Sequence, residues 1–193
     1  MNRLAVFASG TGSNYEAIMK AIQQGSLKAQ VSLLICDQPN AAVIQKAKNY
    51  GTEVVVFDRK NYATKQTFEA AIVKTLQSNQ IDWVILAGYM RLIGETILQP
   101  YQGRIINIHP SLLPSFPGLD AIGQALEAGV KITGVTIHYV DEGMDTGKII
   151  AQEAVKLEEN MTKEELQQAI QRTEHELYPR TIQQLIKKGE EKA

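Results

Sequence analysis

A chain of 193 residues, 44% hydrophobic and 21% charged, is long enough for one large domain with its own core. Lys and Arg number 20 against 21 Asp and Glu, so no basic surplus points to nucleic acid or an anionic membrane. The single Cys36 excludes an intrachain disulfide, and no apolar run approaches the ~20 residues of a bilayer span.

Residues 4–8 form a short apolar run, too brief for a secretion signal and read as a buried parallel strand. The expectation is a soluble, cytoplasmic protein. Ser9-Gly10-Thr11-Gly12-Ser13-Asn14 follows, then Ala17, Ile18, Ala21 and Ile22 at helical spacing. A strand, a Gly-Ser-Thr turn and a helix present backbone N–H groups and a helix N-terminus to an anion. The spacing lacks both the third glycine of a dinucleotide fingerprint and the Gly-Lys-Ser/Thr of a P-loop, which favours a single phosphate. The turn also reads as a plain cap, with Ser13 or Asn14 capping the helix and no ligand.

Further strands are expected over residues 31–36, 54–57 and 83–87, and helices over 41–50 and around 68–76. Strands alternating with helices imply right-handed crossovers and a mostly parallel sheet: a Rossmann-like three-layer α/β sandwich forming a single domain over 1–193. Gly88-Tyr89-Met90-Arg91-Leu92-Ile93 leaves the fourth strand with a composition suited to a flat, partly apolar ligand. A loop packed on its own core explains it equally well.

In Arg104-Ile-Ile-Asn107-Ile-His109-Pro110 the apolar residues alternate with Asn107 and His109, so both polar side chains share one strand face. Pro110 and Pro114 then turn the chain into an ordered loop. A helix over 121–128 comes next. Residues 132–140 alternate with period two, predicting a half-exposed strand, antiparallel and at the sheet edge, with His138 at the surface. A last strand spans 149–155. Thr162 and Glu165 form a capping box that opens a helix, which Pro179 is expected to kink or break. Residues 190–193 read as a solvated tail.

His109, His138, His175 and Cys36 show no metal-ligand spacing, and no Gly-x-Ser-x-Gly elbow is present. What remains is Asn107 and His109, which can both donate to one developing oxyanion, and an acid that orients the imidazole. Asp145 lies in a Gly-flanked loop, but Asp141 and Glu142 also suit that role. Such a set fits acyl transfer through a tetrahedral intermediate without a covalent enzyme species.

At these motifs the chain resembles the glycinamide ribonucleotide formyltransferases of purine synthesis, from residue 3 to about residue 186. The motifs are Ser9 to Asn14, Ala87-Gly-Tyr-Met-Arg91, Asn107-Ile-His-Pro-Ser-Leu-Leu-Pro114 and Asp141-x-x-x-Asp145-x-Gly147. The resemblance implies direct formyl transfer from 10-formyltetrahydrofolate to the amine of 5-phosphoribosylglycinamide, with Asn107, His109 and Asp145 catalytic. It implies that Gly12, Ser13 and Asn14 hold the phosphate and that Glu174 approaches the ribose or amide. Met90, Arg91, Leu92 and Ile93, with Asn107, would line the folate pocket, and Lys65 stands where relatives often place an Arg that meets the folate. Asp120 replaces a frequent His, and Lys148 a frequent Pro. No metal, nucleic acid or membrane partner is implied, and a monomer or weak homodimer is expected. The alternatives are formyltetrahydrofolate hydrolase and a non-catalytic phosphate- or nucleotide-binding module.

Overall fold

A computed structural model describes residues 1–190. Seven strands form one sheet: β1 (Asn2–Ala8), β2 (Ala29–Cys36), β3 (Glu53–Val56), β4 (Trp83–Leu86), β5 (Ile105–His109), β6 (Ile132–Tyr139) and β7 (Ile149–Lys156). The helices are α1 (Ser13–Gln23), α2 (Ala42–Asn49), α3 (Lys65–Ser78), the single turn α4 (Glu95–Leu98), α5 (Ala121–Glu127) and α6 (Lys163–Glu190). The strand order is β3-β2-β1-β4-β5-β6-β7, parallel through β5, with β6 antiparallel to β5 and β7 antiparallel to β6.

The alternation of apolar side chains assigns the two faces. Leu4, Val6 and Ala8 point to a core shared with α1, α2 and α6, whereas Ala5 and Phe7 point to one shared with α3 and α4. Helices therefore cover both faces, and the three-layer α/β sandwich read from the sequence is the architecture found.

The structure decides three local points. First, β6 is not an edge strand: β7 lies outside it, and Thr133 through His138 are all buried. Its polar face is turned toward the loop after β5, where the Thr136 hydroxyl donates to the Ser111 carbonyl (2.7 Å) and accepts from the Leu113 N–H (3.0 Å). Second, Pro179 does not break α6, which continues through it to Glu190. The helix buries Leu166, Ile170, Leu177, Tyr178, Ile182 and Ile186 against the sheet. At roughly 1.5–3 kcal/mol each, that stripe outweighs the ~3 kcal/mol cost of a mid-helix proline. The Tyr178 hydroxyl adds a buried anchor, donating to the carbonyls of Leu86 (2.8 Å) and Ile106 (3.2 Å). Third, α1 is capped by neither Ser13 nor Asn14. Its N-cap is Gly12, with φ 73° and no side-chain cap bond. The tail read from residue 190 lies outside the described residues beyond the Glu190 backbone.

No helix of the described residues is long and apolar enough to cross a membrane.

Candidate active site

The chain order reverses between β1 and β4, and a cleft of about 490 Å³ opens nearby at the carboxyl ends of β4 and β5. Asn107, His109, Asp145, Asn14 and Glu174 all line it, as do Met90 through Ile93. A larger groove, about 670 Å³, runs between α1 and α6, but none of the β5 residues reaches it. Convergence of polar groups, not size, identifies the cleft as the candidate site.

β5 delivers two of the central side chains. His109 is almost fully buried, and its Nε2–H donates to the Phe116 carbonyl at 2.8 Å. Its Nδ1 lies 3.4 Å from Asp145 Oδ2, so both ring nitrogens face oxygen. Asn107 is half-buried, and its amide nitrogen lies 3.2 Å from His138 Nε2. His138 Nδ1–H donates to the Tyr139 carbonyl (2.8 Å), which leaves Nε2 free to accept from Asn107.

Asp145 reaches this cluster from the loop between β6 and β7. Its backbone is left-handed (φ 56°), a conformation Asp tolerates better than most residues. Gly147 is required two residues later, because a Cβ there would collide with the Tyr139 carbonyl oxygen. Burial pushes the Asp145 carboxyl up, but the Gly118 N–H (2.8 Å) and the neighbouring His109 ring outweigh it and hold the carboxyl below its ordinary value. Asp141 instead accepts from the Gly143 N–H (3.1 Å) and the Thr146 hydroxyl (2.7 Å), shaping the loop. Glu142 is exposed. Of the three acids, Asp145 is the one brought to the histidines.

His138 overturns the expectation of a surface residue: it is 2% exposed and lies 3.6 Å from Asp145 Oδ1. The register pairs it with Asn107 across β5 and β6. Sequence alternation marked its face as polar and therefore wet. The missing signal was the pairing partner, which no local pattern carries.

On the opposite side, Asn14 in the first turn of α1 donates from Nδ2 to Glu174 Oε2 at 2.9 Å, while its own Oδ1 has no partner. Burial drives the Glu174 carboxyl up to about 7, against the lowering effect of that bond. Ser13 faces the neighbouring α1–α6 groove, and Gly12 is buried beneath Val43, whose side chain leaves no room for a Cβ. The first N–H groups of α1 have no intrahelical acceptor.

The rim is apolar and open: Met90 is 69% exposed, Leu92 48%, Leu119 80% and Met144 58%. Ile93 lies beneath them, 3% exposed. Arg91 sits over the Phe68 ring at 5.7 Å, with its Nε donating to Asp37 (2.7 Å). Lys65 is not brought to the cleft wall; its ammonium pairs with Glu69 at 3.6 Å. Asp120 caps α5 and pairs with Lys163 (2.8 Å), tying α5 to α6 at the cleft margin. Lys148 is exposed and its carbonyl accepts from the Tyr139 N–H (2.9 Å), so the loop that carries Asp145 closes without a proline.

Residues 2–182 match the family described as formyl transferase. The phosphoribosylglycinamide formyltransferase of Bacillus subtilis (strain 168) is 52% identical over 186 residues, covering 96% of this chain and 95% of its own. The human trifunctional purine biosynthetic protein adenosine-3 is 40% identical over 181 residues, which are 94% of this chain and 18% of that protein. The crystal structure of phosphoribosylglycinamide formyltransferase from Bacillus halodurans superimposes with a TM-score of 0.94 at 55% identity, covering 97% of each chain. With the sequence, the fold and the matched span in agreement, this chain belongs to the formyl transferase family.

Proposed function

We propose that this chain is a cytoplasmic enzyme of purine synthesis that transfers the formyl group of 10-formyltetrahydrofolate to the amine of 5-phosphoribosylglycinamide. The observation that carries this reading is the convergence of Asn107, His109 and Asp145 in one cleft, whose opposite wall is Asn14 and Glu174 beside the α1 N-terminus. The likeness to phosphoribosylglycinamide formyltransferases over nearly the whole chain supports it.

The cleft suits both ligands. Exposed Met90, Leu92, Leu119 and Met144 offer apolar contact to a flat ring system, and Arg91 adds a cation at the same rim. Gly12, Ser13 and Asn14 supply the N–H groups and the dipole end that a phosphate needs. Glu174 and the unpartnered Asn14 oxygen are acceptors for ribose hydroxyls.

Chemistry falls to the β5 end. An amide carries two N–H groups; Asn107 gives one to His138 and keeps one for the formyl oxygen as negative charge grows there. The attacking amine must shed a proton and the departing nitrogen must gain one. His109 and Asp145, backed by His138, are the titratable groups at that end of the cleft.

The test is to supply 10-formyltetrahydrofolate with and without the ribonucleotide and follow both tetrahydrofolate and formylated product. Formyl loss that requires the ribonucleotide and appears on its amine is the expected result. Formate release at an equal rate in water alone would instead make the chain a hydrolase. Phosphate-ligand binding without any turnover would make it a binding module.

A further inference from the structure

A second polar cluster lies just behind the cleft, built on Asp37, the first residue after β2. Its side chain is 1% exposed, and it does not line the cleft. Both carboxylate oxygens are engaged. Oδ1 accepts from the Ser9 hydroxyl at 2.5 Å; Oδ2 accepts from Arg91 Nε at 2.7 Å and from the Gln38 amide at 3.2 Å. Having donated to Asp37, the Ser9 hydroxyl is free to accept, and it accepts the Met90 N–H at 2.9 Å.

The consequence is a chain of hydrogen bonds across three neighbouring strand ends. Ser9 opens the turn after β1, Asp37 follows β2, and Met90 and Arg91 lie beyond β4. A buried carboxylate is costly unless it is paired and hydrogen-bonded. Here that requirement is met by residues from both ligand walls, so the carboxylate fixes one wall against the other.

We propose that Asp37 is a positioning residue for the folate side of the cleft, holding Arg91 directly and the Met90 backbone through Ser9. This rests on the formyl-folate reading above. The two walls do not depend on it equally. The phosphate turn has backbone anchors of its own, Ser9 N–H to the Gly88 carbonyl (3.0 Å) and Val43 N–H to the Gly10 carbonyl (3.1 Å). Among the described residues the Arg91 guanidinium is held only by Asp37 and the face of Phe68. Loss of the carboxylate should therefore fall on the folate side.

Asp37→Asn keeps the shape but replaces one acceptor oxygen with a donor, which must then face either Ser9 or Arg91. Steady-state kinetics with each substrate varied in turn, on the full chain, read the effect. The expected result is a KM for 10-formyltetrahydrofolate raised about tenfold or more, the range for losing a hydrogen bond between charged groups. The KM for the ribonucleotide and kcat should stay near wild type. In an Arg91→Ala background, Asp37→Asn should add only what passes through Ser9 to Met90, less than its effect in the wild-type chain.

Equal rises in both KM values, a fall in kcat alone, or full additivity with Arg91→Ala would overturn the proposal. If Asp37→Asn does not fold, Ser9→Ala decides. It removes the hydroxyl's bonds to Asp37 Oδ1 and to the Met90 N–H while leaving the Asp37–Arg91 pair in place, and it must raise the folate KM alone; an unchanged folate KM is then the contrary result. Wild-type chain that shows no folate-dependent turnover would instead overturn the proposed function, so the two failures are distinguishable.

Discussion

The amide nitrogen of Asn107 lies 3.2 Å from Nε2 of His138, across the antiparallel pair of β5 and β6. Because His138 Nδ1–H is committed to the Tyr139 carbonyl, Nε2 is an acceptor, and the pair fixes which way the Asn107 amide faces. A donor held in advance at the site of developing charge is worth more than one that must be oriented during the reaction.

Asn107→Ala should fold and lose roughly 10²–10³ in kcat, the range for removing one such donor. It leaves His138 Nε2 without its donor, at a stability cost of ~1 kcal/mol. The melting midpoint should therefore fall by only about 2–4 °C. Calorimetry beside kinetics checks this. A variant that is inactive because it is unfolded would make Asn107 a fold element.

His138→Phe keeps a buried ring but removes the acceptor that holds the Asn107 amide. Its kcat should fall toward that of Asn107→Ala, because the oxyanion donor is no longer oriented in advance. The kcat–pH profile should keep its shape at a lower plateau. A profile superimposable on wild type would return His138 to a purely structural role.

Glu174 makes stability depend on pH. Its carboxyl is raised from 4.5 to about 7 in the folded chain. The stability associated with its neutral form is fully present below the unfolded value and is lost as pH rises through about 7. At ~1.4 kcal/mol per unit of pKa, the loss is on the order of 3 kcal/mol. Glu174→Gln cannot ionise, so its melting midpoint relative to wild type should improve between pH 5 and pH 8. The same change should raise the KM for the ribonucleotide. A midpoint difference that is flat with pH would show that Glu174 titrates at its ordinary value.

Much of this site is legible in the sequence because its logic is local. Asn107 and His109 stand two apart on a strand that prolines terminate, so their shared face and their exit into a loop follow from period two and from Pro110. The turn from Ser9 to Asn14 likewise announces a helix N-terminus after a strand. His138 and Asp37 do not announce themselves. One is polar on an alternating strand and the other is an acid after a buried strand; both patterns ordinarily mean water. Their burial depends on partners 31 and 54 residues away, Asn107 and Arg91, which only the sheet order brings near. Pro179 misleads for a related reason: its effect on the backbone is local, whereas the burial that keeps α6 whole is tertiary. The αL backbone at Asp145 is set by the loop between Gly143 and Gly147, and the sequence spacing suggests that turn without showing where its carboxylate lands.

The most direct test of the catalytic assignment compares Asp145→Asn with Asp141→Asn, measuring kcat and both KM values for formyl transfer. Asp145→Asn keeps an oxygen for the Gly118 N–H but removes the charge beside His109 and His138. Its kcat should fall by about a hundredfold or more, with both KM values little changed. Asp141→Asn retains an acceptor for the Gly143 N–H and the Thr146 hydroxyl, so its kcat should stay near wild type. Full activity in Asp145→Asn together with a steep loss in Asp141→Asn would contradict the account.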